Sequence, residues 1–280
     1  MQVDVTARLG AQAPATPTGL PVLDRLLGGG LRTGMLVAIS GATGIGKTAL
    51  ALNLAYMAAR SKAAVLFASA TLDETEIVAR LASRALHREY PESRTSYGAI
   101  FTGQAWQDAA TRGPVSSAVD TVAKKVGALL HFHRADPFES TTLLRRAAGE
   151  LWDRHDRVVV VVDGIEAWAA HCGGDAGRAA QANSSLDSRV SVVAHELARL
   201  GRGAAVVVTV SGRHAELVAP AATFSAEMRG LSSGLAATEQ ALALGARPVD
   251  LRVRKNQLGP TGIVPLRFVA GAATFEERAP

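Results

Sequence analysis

The sequence predicts an α/β fold: a mostly parallel central sheet, flanked by helices and closed by a C-terminal β-hairpin. Three observations predict it. Apolar runs without alternation, at Met35–Ser40, Ala63–Ala70, Arg157–Asp163 and Ala204–Val210, read as buried strands. Segments with helical spacing of apolar residues lie between them. Near the C-terminus, Val249–Lys255 and Ile263–Phe268 read as strands joined by the turn-rich Asn256-Gln-Leu-Gly-Pro-Thr-Gly262. No boundary divides the chain, so we expect a flexible arm over residues 1–17 and one domain over residues 18–280.

Composition narrows the function classes. Of the 280 residues, 48% are hydrophobic and only 5% aromatic, so Ala, Val and Leu must fill the core. The net charge of +5 mildly favours a nucleic-acid partner. The Arg residues that supply most of it are spread out, as solvated helix faces would be. Cys172 is the single cysteine, which excludes an internal disulfide and a cysteine-based zinc site. The N-terminus lacks the apolar core of a signal peptide, and no run approaches the roughly 20 apolar residues that cross a bilayer. The expectation is a soluble, cytoplasmic protein without a membrane partner.

From the N-terminus, a Pro-rich lead-in precedes a short helix over Thr18–Leu27, which Gly28-Gly29-Gly30 stops. The Met35–Ser40 strand then runs into Gly41-Ala42-Thr43-Gly44-Ile45-Gly46-Lys47-Thr48, the Gly-x₄-Gly-Lys-Thr pattern of a P-loop. A helix of strong formers follows, with Ala49, Leu50, Leu52, Leu54 and Met57. Strand, glycine loop and helix in that order give the pattern its chemistry. Gly41, Gly44 and Gly46 let the backbone approach a phosphate closely. The loop amides and the helix N-terminus direct partial positive charge at an anion. Lys47 would reach the terminal phosphates of a triphosphate, and the Thr48 hydroxyl would hold Mg²⁺.

The Ala63–Ala70 strand leads to Asp73, with Glu76 three residues on, a capping-box-like helix start whose Ile77, Leu81 and Leu86 face the core. Residues 90–96 are loop. Two shorter helices are expected around Gln104–Ala110 and Ser116–Lys125, with Trp106 as a core anchor. Leu129–His133 reads as a strand that puts His131 and His133 on one face, without an evident third metal ligand. Ser140 caps a helix running to about Asp153.

Five consecutive valines then end in Asp163, a buried strand with a carboxylate at the C-terminal end where ligands of parallel sheets sit. With a P-loop about a hundred residues upstream, this is the Walker B pattern, and Asp163 would hold Mg²⁺ directly or through water. Two segments, about 171–188 and 212–233, are rich in small and polar residues and read as mobile loops. Between them lie a helix over Leu186–Leu200 and the Ala204–Val210 strand. Gln240–Leu244 is expected to open the C-terminal strands.

Taken together, these residues resemble the RecA-type motor domain of DnaB-like replicative helicases, and more distantly RadA- and KaiC-type ATPases. Thr18-Gly19 with Leu23-Asp24 is similar to the motif ahead of the family's P-loop. Gly46-Lys47-Thr48-Ala49-Leu50-Ala51-Leu52-Asn53 resembles the helicase version, and Lys255-Asn256-Gln257-Leu258-Gly259 resembles the C-terminal signature. The resemblance covers about residues 17–276. It implies a RecA-like P-loop NTPase, a homo-oligomeric ring, most often a hexamer, with ATP between subunits and single-stranded DNA through the centre. It implies that the two loops face DNA, where Arg178, Arg189, Arg213 and Arg229 supply charge. It also implies that Lys255 reaches a neighbour's γ-phosphate and so joins Lys47 as a catalytic cation.

Three positions depart from the family pattern. The catalytic Glu position is Thr71, the arginine-finger position is Gln257, and the polar sensor after the fourth strand reads Thr209-Val210-Ser211. An arginine finger is worth about 10³–10⁵ in rate in related phosphoryl transfers. A lost base removes a further factor of roughly 10²–10⁴. Binding should therefore outlast turnover unless Asp73, Glu74 or Glu166 substitutes or a partner supplies the groups. Three functions follow: an ATP-dependent DNA motor, a non-catalytic nucleotide-binding ring subunit or regulator, and a RadA-like recombination accessory.

Overall fold

The computed structural model describes residues 14–90, 92–135, 141–171, 185–232 and 242–278. Its parallel strands are β1 (Leu36–Gly41), β2 (Ala64–Ser69), β3 (Leu130–Arg134), β4 (Val158–Asp163), β5 (Ala205–Ser211) and β6 (Phe224–Gly230). An antiparallel extension adds β7 (Ala246–Asn256), β8 (Ile263–Val269) and β9 (Thr274–Glu277). Together they make one nine-stranded sheet in the order β3-β2-β4-β5-β1-β6-β7-β8-β9. The expected α/β architecture is present, and its C-terminal hairpin, β7–β8, is part of a longer antiparallel wing.

The pleat explains the unbroken valine run of β4. Val159 and Val161 enter the core on one face, while Val158, Val160 and Val162 enter the core on the other. A strand buried on both sides has no polar face to alternate with. The first core lies under α2 (Lys47–Arg60), α3 (Glu74–Glu89) and α6 (Ala109–Val126), with Leu50, Leu54, Leu81 and Val122 buried in it. The second lies under α7 (Thr141–Trp152), α8 (Ile165–His171) and α9 (Leu186–Leu200), with Leu144, Trp168, Val190 and Leu197. Three short helices, α1 (Pro21–Leu26), α4 (Tyr97–Phe101) and α5 (Gln104–Gln107), precede α6, and α10 (Ala215–Val218) follows β5.

Several expectations are corrected. Residue 16, placed in the flexible arm, is instead pinned: Thr16 and Leu31 exchange backbone hydrogen bonds of 2.7 and 2.8 Å, and Thr16 is buried. Residues 1–13 lie outside the described residues. Trp106 is a partly exposed residue whose indole donates to Ile100 O at 3.2 Å, and the buried tryptophan of the core is Trp168. The helix α6 runs through Pro114, where a break was expected. Asp108 caps its first turn by accepting from Ala110 N at 2.9 Å.

The segment 212–233 is not one loop. It holds a 3₁₀ turn, α10 and the strand β6, whose Phe224, Ala226 and Met228 are buried while Ser225, Glu227 and Arg229 point outward. That alternation is the period of a strand with one covered face. β6 pairs in parallel with β1 and so makes β1 an interior strand, with β5 on its other side. Residues 242–245 form no strand; Gly245 N donates to Leu242 O at 3.0 Å in a turn. Gln240, Ser140 and Arg178 fall outside the described residues.

Candidate functional site

β1 delivers the glycine loop to the C-terminal edge of the sheet, between the ends of β5 and β6. Gly46 ends the loop at φ 107°, where a Cβ would stand 2.8 Å from the Phe275 ring and 3.0 Å from Phe268. Backbone angle and space both exclude a side chain there. The helix α2 then starts at Lys47 without a side-chain cap, leaving its first amides pointing out of the loop. Lys47 folds back, donating from Nζ to Gly41 O at 2.9 Å and Ala42 O at 3.0 Å. Burial lowers its pKa, and the charges of Glu166 and Asp163 pull it back up.

Asp163 stands at the end of β4, one strand away from β1 across β5, and is buried. Thr48 Oγ1 donates to it at 2.9 and 3.1 Å, and Thr209 Oγ1 donates at 2.8 Å. Thr209 Oγ1 in turn accepts from Gly164 N at 2.7 Å, which fixes the turn after β4. Burial pushes the Asp163 carboxyl above the usual carboxylate range, against the two threonine hydrogen bonds. A hydroxyl and a carboxylate oxygen side by side are the hard donors that magnesium takes, so the residues fit that ion. Its chemistry there would be to draw negative charge off terminal phosphates.

Glu166 lies three residues past Asp163, in the first turn of α8. Its Oε1 accepts from Ser211 N at 2.6 Å and from His214 Nδ1 at 3.1 Å. Beside the glycine loop, a cleft of about 690 Å³ is lined by Lys47, Arg80, Tyr97, Arg247 and Phe268, among others. Its volume falls within the range of small-molecule and cofactor sites. The Arg80 guanidinium lies over the Tyr97 ring at 4.3 Å, and Arg247 lies over Phe268 at 5.1 Å and bonds Gly44 O. Sequence reasoning missed Arg80, Tyr97, Arg247 and Phe268, because no motif spacing connects them.

The structure thus gathers Gly41–Thr48, Asp163 and Thr209 at one edge. It does not bring Lys255 or Gln257 there. Lys255 Nζ donates to Ala219 O at 2.9 Å, and Gln257 N donates to Thr223 O at 3.1 Å. Thr223 N donates to Leu36 O, so Gln257 sits at the start of β1, opposite the glycine loop. Thr71 offers no carboxylate; its amide and hydroxyl turn onto Ser69 Oγ at 3.2 and 3.4 Å. Asp73 caps α3, accepting from Glu76 N at 2.8 Å, as its capping box predicts.

Of the expected DNA-facing arginines, Arg213 is exposed and donates to His214, and Arg229 is exposed and paired with Glu227 at 2.9 Å. Arg189 is half-buried. His133 packs on Trp168 with ring centroids 6.1 Å apart, and the described residues hold no group of three His, Cys, Asp or Glu that could bind a metal. No helix among the described residues is long and apolar enough to cross a membrane.

Residues 15–216 match the family model of the DnaB-like helicase C-terminal domain. No curated protein matches the sequence. Among solved structures, a DnaB-like replicative helicase studied with primase aligns at TM-score 0.75 and 17% identity, over 98% of this chain and 66% of that one. The separately solved ATPase domain of a second protein aligns at TM-score 0.75 and 17% identity, over 98% of this chain and 96% of that one. The flagellar accessory protein FlaH from Methanocaldococcus jannaschii aligns at TM-score 0.55 and 14% identity, over 95% and 98%. These likenesses speak for the fold alone. The family match spans most of the chain, which therefore belongs to the DnaB-like helicase C-terminal domains, a family of ATP-binding motor domains.

Proposed function

We propose that this chain is an ATP-driven DNA motor domain that binds ATP and magnesium at the Gly41–Thr48 loop and works on single-stranded DNA within a homo-oligomeric ring. The observation that carries the reading is the meeting of Lys47, Thr48 and Asp163 at the C-terminal edge of a parallel sheet, in a chain of this family. The loop amides from Gly41 to Thr48 cradle the phosphates, and Lys47 exchanges its two carbonyl partners for terminal phosphate oxygens. Thr48 and Asp163 hold the magnesium. Lys255 sits level with Ala38 in the sheet and turns its Nζ to Ala219 O, away from its own loop, so it serves a neighbour's triphosphate and the working site forms between subunits. Single-stranded DNA is held through backbone phosphates by exposed cations such as Arg213.

A second reading, a ring subunit that binds ATP without turning it over, is favoured by one observation. Thr71 and Gln257 carry neither the carboxylate nor the guanidinium that the family places there, and their amides are bonded to Ser69 Oγ and Thr223 O. An ATPase assay with and without single-stranded DNA separates the two. Stimulated hydrolysis is the expected outcome. Binding of ATP with no hydrolysis, with or without DNA, selects the second reading.

A further inference from the structure

Next to Asp163, a second carboxylate is built into the same edge of the sheet, and the nucleotide-binding role makes no use of it. Glu166 is placed by two independent constraints. The first is α8, which begins at Ile165 immediately after the turn that Gly164 and Thr209 fix. The second is β5: Ser211 N donates to Glu166 Oε1 at 2.6 Å, and the buried His214 ring contacts the same oxygen at 3.1 Å. Ser211 is the register partner of Gly41, the first residue of the glycine loop. Lys47 Nζ bonds the carbonyl of that same Gly41. One strand spacing of about 4.8 Å therefore separates the backbone that holds Glu166 from the backbone that holds Lys47.

The other acidic candidates are occupied or remote. Thr71 stands where the family has its glutamate and has no carboxylate. Asp73 commits its carboxylate to the α3 N-terminus. Glu74 is exposed on the first turn of α3. Glu76 is paired with Arg80 at 2.6 Å.

We propose that Glu166 is the catalytic carboxylate of ATP hydrolysis in this chain: it orients the attacking water and receives its proton. The inference rests on the nucleotide-site reading above. The water oxygen forms a bond to the γ-phosphorus as the bond from that phosphorus to the bridging oxygen of the β-phosphate breaks. ADP leaves with the electron pair, and the water proton passes to Glu166 and from there to solvent. Glu166 is not a magnesium ligand in this scheme, since Thr48 and Asp163 supply the metal donors. Burial pushes its carboxyl up, but hydrogen bonds from the Ser211 amide, its own amide, the Ser211 hydroxyl and His214 outweigh burial and keep it below its ordinary value. A carboxylate held ionised this way is always ready to accept a hydrogen bond from water, but it is a weak base. That low basicity makes turnover slow.

The test uses the full chain with magnesium and ATP, with and without single-stranded DNA, and compares wild type, Glu166→Gln and Thr71→Ala. Affinity is read with a fluorescent non-hydrolysable ATP analogue. The expected result for Glu166→Gln is near wild-type affinity with kcat lower by roughly 10²–10⁴-fold. Thr71→Ala is expected to keep wild-type kcat. Wild-type kcat in Glu166→Gln overturns the proposal. So does a loss that high magnesium repairs, because Glu166 is then a metal ligand, and so does a loss of analogue affinity that matches the loss of kcat. Tight analogue binding by a wild-type chain with no turnover removes the catalytic carboxylate and leaves the nucleotide site standing. A wild-type chain that binds no analogue removes both.

Discussion

Lys47 directs its charge at two backbone carbonyls of its own loop, Gly41 and Ala42. A phosphate would replace those neutral acceptors with ionised ones, and charge-assisted hydrogen bonds are stronger than neutral ones. Lys47→Ala should therefore weaken ATP binding by about 10- to 100-fold, the equivalent of about 1.5–3 kcal/mol for a hydrogen bond to a charged group. A fluorescence titration measures it, and unchanged affinity would falsify the assignment of the loop. Residues of this kind were legible in the sequence, because Lys47, Thr48 and Asp163 sit at spacings that the chemistry itself dictates. Thr209 was legible only through the family's polar-sensor position, and Glu166 only as one of three carboxylates named as substitutes for the missing glutamate. Tyr97, Arg247 and Phe268 were not legible, because α4, β7 and β8 bring them to the cleft from separate parts of the chain.

At the scale of elements, the C-terminal wing is fastened to the helical layer by polar contacts as well as by its core. Arg84 of α3 is buried with no carboxylate partner among the described residues: its Nε donates to Asn53 Oδ1 at 2.7 Å, and its guanidinium lies 4.3 Å from the Tyr56 ring centre. Burial and the nearby Arg88 lower its pKa to about 10. Thr274 of β9 donates to the same Asn53 oxygen at 3.3 Å, so α2, α3 and β9 share one acceptor. Beside it, Glu276 of β9 contacts His87 of α3 at 3.1 Å and Arg267 Nε of β8 at 2.9 Å. The His87 hydrogen bond, opposed by burial and aided by Arg267, holds Glu276 down from 4.5 to about 2. Depressed in the folded chain, it contributes stability that is present above pH 4.5 and is lost as pH falls toward 2. Glu276→Gln should therefore lower the midpoint of thermal unfolding at neutral pH, and the two proteins should converge as pH approaches 2. Parallel acid profiles would contradict it. Such fastenings join positions far apart in sequence, which is why no local pattern announced them. β6 was different. Its alternation was in the sequence, but only Phe224, Ala226 and Met228 of its seven residues are apolar, and the Ser, Glu, Arg and Gly between and after them gave it the composition of a loop.

At the scale of the whole molecule, the sheet sets the two functional edges apart. The glycine loop leaves the C-terminal end of β1, whereas Gln257 lies beside Thr223 at the other end, and Lys255 pairs with Ser225, which pairs with Ala38. At about 3.3 Å per residue, the Lys255 backbone stands some 10 Å short of Gly41 along the strand direction, and its side chain is turned to Ala219. A single chain therefore offers Lys255 to no phosphate of its own, and any catalytic part it plays needs a second copy. Mixing two impaired variants measures this. Lys47→Ala impairs its own nucleotide site and keeps Lys255, while Lys255→Ala keeps the site and lacks the cation. Each alone should hydrolyse ATP more slowly than wild type, and an equimolar mixture should recover activity that grows with protein concentration, since only mixed interfaces combine both groups. Adding Gln257→Arg to the Lys47→Ala chain should raise the recovered rate further, because the new guanidinium would face an intact site across the interface. Full activity of Lys255→Ala on its own, or a mixture no faster than the sum of its parts, would rule out a site shared between subunits.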